Sequence, residues 1–281
     1  MMVEIGKINR LAVVSTQGHE VRFDGGELGD ILLDEKFVYG RYHKGDEVEV
    51  FVSVDGDDRL FAITSKPYAM VGEFARLRVA ATSPSGAFLS WGMKNDLLVP
   101  KSEQLSPMKE GESYVVYVFL SEKTNRITAS SKLDKYLGLS PPDYKEGEEV
   151  DLLIFDRTDL GYQAVINQAH IGMLFKNEVF QKLFIGQKLK GYIYNIREDS
   201  KIDLRLQLPG YEKVDGVSQA IIDILKENGG VSSLSDKSPP EEIYALFGVS
   251  KKVFKQAIGA LYKKRIITID RSSGIRLVKK K

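Results

Sequence analysis

Apolar and polar residues alternate through KGDEVEVFVSVDGDDRLFAITSK, residues 44–66, pause at a turn of one Gly and three Asp, and then resume. A period of two predicts two half-buried strands joined as a hairpin, with the valines on one face. The pattern returns in EGESYVVYVFLSEKTNRITASSK at 110–132 and in IGQKLKGYIYNIREDSKIDLRLQ at 185–207. These lay Gly111 and Gly186 on Gly45, at intervals of 66 and 75 residues. The longer interval takes in LDKYLGLSPPDYKEG, whose Pro141-Pro142 pair marks a linker. In each copy the glycine precedes a strand, a charged turn, a basic residue (Arg59, Arg126 or Lys201) and a second strand.

Two further landmarks keep step with the first. Gly18, Gly86 and Gly161 each follow one strand and open another, in GHEVRF, GAFLSW and GYQAVI. Between the glycine landmarks lie the apolar patches DILLDEKF, DLLVPKSEQL and IGMLFKNEVF. Each copy therefore offers about five short strands, which close most economically into a small barrel with few exposed edges.

After residue 210 the period changes. VSQAIIDILKENGG reads as a helix ended by glycine. In SPPEEIYALFG, Ser238 stands three before Glu241, a capping-box spacing, with Pro239 at the first helical position and Gly248 as the stop. Ser250 caps KKVFKQAIGALYKKR, whose Phe254, Ala257, Ile258 and Leu261 fall on one buried stripe, with Lys252, Lys255, Gln256, Gly259 and Lys263 opposite. IITIDRSSGIRLV finishes as two strands about an Arg-Ser-Ser-Gly turn. The organisation expected is multidomain and mainly β: three tandem five-stranded barrels at 1–66, 67–138 and 139–210, then an α+β unit at 211–281.

Composition narrows the chemistry. With 281 residues and 43% hydrophobic content the chain can build several packed cores. No apolar run approaches the roughly 18 residues of a membrane span, and MMVEIGKINRLAVVS shows no export signal. Zero cysteines fit a cytoplasmic protein and remove thiol nucleophiles and Cys-based zinc sites. His19, His43 and His170 are scattered without metal-ligand spacing, and no phosphate-loop, dinucleotide or nucleophile-elbow motif is present. No catalytic residue, cofactor or metal is expected. The formal net charge of +1 conceals values of −5, +2, −2 and +6 over the four units in order. The basic last unit is the one suited to a polyanion, if its lysines are more than a solvated surface; the acidic first unit leans towards a protein partner.

The middle copy, with SGAFLSW, LLVPKSEQL and EGESYVVYVFLSEKTNRITASSK, resembles the ribosomal S-one-type RNA-binding domain, an oligonucleotide-binding-fold barrel. The resemblance implies an RNA surface made by the Phe after Gly-Ala, a His on the next strand, and an acid and a base four apart. Here those positions are Phe88, Pro100 (a departure from His), Glu122 and Arg126, with Lys101 beside them. In the third copy they are Gln163, Phe175, Arg197 and Lys201, and in the first Arg22, Asp34, Asp55 and Arg59, which keeps the acid–base pair without an aromatic. Single-stranded RNA is bound by stacking bases on such rings while cations follow the phosphates. Alternation along the strand sends Phe88 and Trp91 to opposite faces, and Trp91, in phase with Ala87 and Leu89, is assigned to the core.

Three helices and a hairpin resemble a winged helix with the Ser250 helix in the recognition position, where Lys252, Lys255 and Lys263 would meet phosphate. Three barrels and then this unit, with DKSPPEEIYALFGVSKKVFKQAIGALYKKRIITI at its heart, resemble the bacterial conserved virulence factor B family over essentially the whole chain. That resemblance implies a cytoplasmic, non-catalytic RNA-binding protein that affects expression of virulence genes. A DNA-binding transcription regulator using the winged helix, with the barrels as protein-interaction modules, is the alternative.

Overall fold

The computed structural model describes residues 2–18, 20–33, 41–55, 57, 59–179, 181–207, 211–270 and 274–278. His19, Asp34, the boundary at residue 210, the turn residues Arg271–Ser273 and the Lys279–Lys281 end lie outside the described residues. The fold is mainly β, with three five-stranded barrels, closed or nearly so, and a helical C-terminal region. The chain forms two compact units, Met1–Ser140 with Gln168–His170, and Pro141–Asn167 with Ile171–Lys281.

In the first unit, β1 (Ile8–Gln17), β2 (Glu20–Asp24), β3 (Asp30–Leu33), β4 (Glu47–Val54) and β5 (Leu60–Ile63) close a barrel in the order β1-β2-β3-β5-β4. Its seam is the parallel pairing of β3 with β5, Leu32 opposite Phe61 and Leu33 opposite Ala62. A second sheet runs β10-β9-β6-β7-β8, built from β6 (Phe74–Thr82), β7 (Gly86–Ser90), β8 (Leu97–Pro100), β9 (Ser113–Leu120) and β10 (Ile127–Ser130). Its end strands, β8 and β10, are the counterparts of the pair that seals the first barrel.

β4 explains how the two barrels meet. Val50, Phe51 and Val52 are all fully buried, although successive strand residues point to opposite faces. Val50 and Val52 fill the first barrel with Phe23, Ile31 and Leu33. Phe51 points outwards and, with Ile63 and Ala69, packs into the cluster that also holds Leu77, Leu89, Trp91 and Val116 of the second barrel. The Phe51 and Trp91 rings meet edge-on, with centroids 5.9 Å apart at 81°. The sheets are separate, but one apolar cluster spans them, which the division into self-contained copies does not anticipate. Gly6 locks this junction. Its N–H donates to the Val52 carbonyl (2.7 Å), its carbonyl accepts from Val71 N–H (3.0 Å), and at φ +80° a Cβ there would lie 2.2 Å from the Val71 side chain.

A third barrel is built from β11 (Glu149–Arg157), β12 (Gly161–Ile166), β13 (His170–Phe175), β14 (Lys188–Ile196) and β15 (Ile202–Arg205), which close in the order β11-β12-β13-β15-β14, again sealed by a parallel pair. There follow α1 (Tyr211–Glu227), β16 (Val231–Ser232), α2 (Pro240–Phe247), α3 (Lys251–Lys263), β17 (Ile267–Asp270) and β18 (Gly274–Leu277). The terminal sheet has three strands, β16-β18-β17, because Val231–Ser232 pairs with Ile275–Arg276 and extends the expected hairpin.

Capping divides the two expected helix starts. The Ser250 hydroxyl accepts from Val253 N–H (3.3 Å) and starts α3, and Gly248 at φ +65° stops α2. The Ser238 capping box does not form. A residue before proline is driven out of the helical region, so Pro239, followed by Pro240, stays extended (φ −56°, ψ 143°) and the helix begins one residue later. Ser238 Oγ accepts from Ser235 N–H (2.9 Å) in the preceding turn. Phe254, Ala257, Ile258 and Leu261 are buried as one stripe of α3. Among the described residues no helix is long and apolar enough to cross a membrane, and no group of three His, Asp or Glu is placed to hold a metal.

Candidate nucleic-acid interface

The first strand of each barrel carries a bulge at one position, between Val13 and Ser15, between Val79 and Ala81, and between Ile154 and Asp156. Directly past it, Arg22 faces Ser15, Phe88 faces Ala81 and Gln163 faces Asp156. These three residues occupy one structural site, and the bulge aims it. The glycine landmark is less regular. A Cβ at Gly86 would lie 2.2 Å from the Val99 carbonyl, and one at Gly161 would lie 2.0 Å from that of Leu174, so the neighbouring backbone requires glycine there. Among the described residues a Cβ at Gly18 would meet nothing within 4 Å, and Gly18 sits two residues too early, since Glu20 is the equivalent of Gly86.

The turn before the last strand is closed in each barrel by one hydrogen bond: Asp55 N–H to the Arg59 carbonyl, Ser121 to Arg126, and Arg197 to Lys201, each 2.9 Å. Arg59, Arg126 and Lys201 are therefore equivalent. Glu122 is not the equivalent of Asp55. The middle turn is one residue longer, so Ser121 takes that place and Glu122 stands exposed at the next position. In the first barrel Arg59 bonds Asp55 (3.0 Å) and Asp57 (3.0 Å). Its backbone N–H leads the causes, with that of Asp57 and the guanidinium itself, that hold the Asp55 carboxyl below the usual range. In the third, Lys201 pairs with Asp199 (2.6 Å), while Arg197 pairs with Asp203 (2.9 Å) and lies over the Phe175 ring, 5.6 Å from its centroid. Both outer barrels therefore spend turn cations on their own carboxylates, and Phe175 on its own guanidinium.

In the middle barrel Phe88 and Arg126 line one cleft of about 920 Å³, together with Trp91 and Lys94 and, from the first barrel, Phe61 and Asp55. Trp91 is 5% exposed and its indole N–H donates to the Asn95 carbonyl (2.7 Å), whereas Phe88 is half-buried. Lys101 is exposed in the short turn Lys101–Glu103 after β8, away from the cleft lining. Lys252, Lys255 and Lys263 are exposed on α3. Among the described residues nothing outside the helix's own backbone lies within 4 Å of a Cβ at Gly259, so no close approach among them explains that glycine. Phe61 and Lys94 are among the cleft residues that sequence reading missed. The available signal was the unbroken apolar run Leu60–Ile63, since a strand apolar on both faces is covered on both.

Two family models match the chain: the S1 domain over residues 5–65, and the CvfB-like winged helix domain over residues 219–277. The first falls on the barrel least like the pattern read from the middle copy. Conserved virulence factor B of Staphylococcus epidermidis is 26% identical over 98% of this chain and 95% of its own length. It is a homologue of the conserved virulence factor B proteins. That of Staphylococcus saprophyticus is 25% identical, over 95% of this chain and 92% of its own. A crystal structure of a multidomain protein with nucleic acid binding domains from Streptococcus pneumoniae is 23% identical, with a TM-score of 0.41 over 98% of each chain. An S1 domain and a winged helix in one chain point to nucleic-acid binding as the class of function.

Proposed function

We propose that this homologue of conserved virulence factor B is a non-catalytic, cytoplasmic RNA-binding protein that regulates gene expression, with functional units at 1–66, 67–138, 139–210 and 211–281. It takes single-stranded RNA on the middle barrel, stacking a base on Phe88 and setting Arg126 against phosphate. The supporting observation is that Phe88 and Arg126, distant in sequence, line the same cleft. Phe175 and Lys201, already engaged within the third barrel, and Lys101 and Arg59 are supplementary contacts along the strand, and exposed Glu122 borders it. A second reading, duplex DNA bound through α3, draws on exposed Lys252, Lys255 and Lys263. Titrating the full chain with labelled single-stranded RNA and with duplex DNA of equal length at matched salt separates them. RNA is expected to bind more tightly, and preference for the duplex would overturn the proposal in favour of the second reading.

A further inference from the structure

The cleft beside Phe88 is not a surface of one barrel. Its wall continues into the first barrel through Phe61 of β5, whose turn contributes Asp55. We propose that the two barrels form one composite pocket, in which an unpaired nucleobase of an RNA strand is received against both Phe61 and Phe88. This rests on the proposed binding of RNA at Phe88 and adds a requirement for the first barrel.

The chemistry of the lining selects that occupant. Phe61 and Phe88 are each half-buried, so each side chain keeps part of its surface open to a ligand. Arg126 and Lys94 bring positive charge into the same lining, where a phosphodiester attached to the base would run. Asn95, Asp96 and Thr124 offer hydrogen-bonding groups to a base edge. Asp55, held by Arg59, and Asp96 are carboxylates of the same lining and disfavour phosphate beside them. A volume of about 920 Å³ is of the size that encloses small organic groups. A paired base inside a duplex cannot enter it, whereas the splayed bases of a single strand can.

The edge-on contact of Phe51 with Trp91 joins the two barrels at the pocket lining. No such partner is available from composition alone, because the first copy has no aromatic at the position equivalent to Phe88.

The chain's single tryptophan, Trp91, lies in the pocket lining and serves as a built-in reporter. The full-length protein would be titrated with an oligoadenylate of about ten nucleotides, within the span of such barrels. One adenine would be replaced by 2-aminopurine, and AMP would be run in parallel. The oligomer is expected to change Trp91 emission saturably and to have its 2-aminopurine emission quenched by stacking. Phe61→Leu and Phe88→Leu keep apolar bulk but remove the ring, and each should weaken the oligomer about tenfold, as loss of one stacked base would. If Phe88→Leu weakens binding and Phe61→Leu, folded as judged by its melting temperature, does not, the composite pocket is wrong while RNA binding at the middle barrel stands. If neither changes affinity, the base-binding role of both rings falls. AMP binding as tightly as the oligomer, with the same dependence on Phe61, would replace the RNA strand by a free nucleotide and overturn the proposal. Should Phe61→Leu fail to fold, unquenched 2-aminopurine on the wild-type protein would overturn it independently.

Discussion

Phe88 and Trp91 stand three residues apart and both line the cleft, and the same substitution separates their roles. Trp91 is 5% exposed, packed edge-on against Phe51, with its N–H satisfied by Asn95. Trp91→Ala is expected to cost about 3–5 kcal/mol of folding stability, the usual range for a large buried aromatic. Phe88 is half-buried, so Phe88→Ala should cost clearly less stability while weakening RNA binding by about 1–3 kcal/mol. Melting temperatures and RNA affinities of the two variants check both statements. A folded Phe88→Ala protein that binds RNA at full strength would remove the stacking site from the middle barrel.

At the scale of elements, similar sequence signals gave different outcomes where a neighbouring residue changed the backbone. Ser250 and Ser238 each precede a helix at capping distance, but only Ser250 caps. Ser250→Ala should destabilise the winged helix by about 1 kcal/mol, the usual worth of a serine cap. Ser238→Ala should leave the start of α2 unchanged, since Pro239 already fixes it. Thermal unfolding followed by helical circular dichroism tests the pair, and equal losses from both would show that Ser238 also serves α2. The bulges work at this scale too: they aim Arg22, Phe88 and Gln163 from one position, so what differs among the barrels is the side chain presented.

For the whole molecule, the salt dependence of binding reads out which cations meet phosphate. Arg59 and Lys201 are ion-paired to carboxylates of their own barrels. The affinity of the full chain should fall linearly in log–log form as salt rises, with about 0.7 counterion released per single-strand phosphate neutralised. Arg126→Ala should both weaken binding and flatten that slope. Binding isotherms at several salt concentrations check this. An unchanged slope for Arg126→Ala would take that residue out of the phosphate path.

The amino-acid sequence by itself determined the elements and their repetition. Alternation fixes strand faces, Gly248 ends α2, and a period of 3.6 with Ser250 at its start fixes α3, because these preferences act over a few residues. It also marked Trp91 for the core by its phase with Ala87 and Leu89. Only the tertiary structure decided what the repeats became for one another. Phe51, read locally, is one more apolar residue in a hairpin; its outward direction matters because a second barrel lies against it. Phe61 belongs to the cleft for the same reason, since a side chain's neighbours across 27 residues of chain are set by how two sheets pack, not by any local period. The place of Glu122 likewise depended on a hydrogen bond, Ser121 to Arg126, that closes a turn one residue longer than its counterparts.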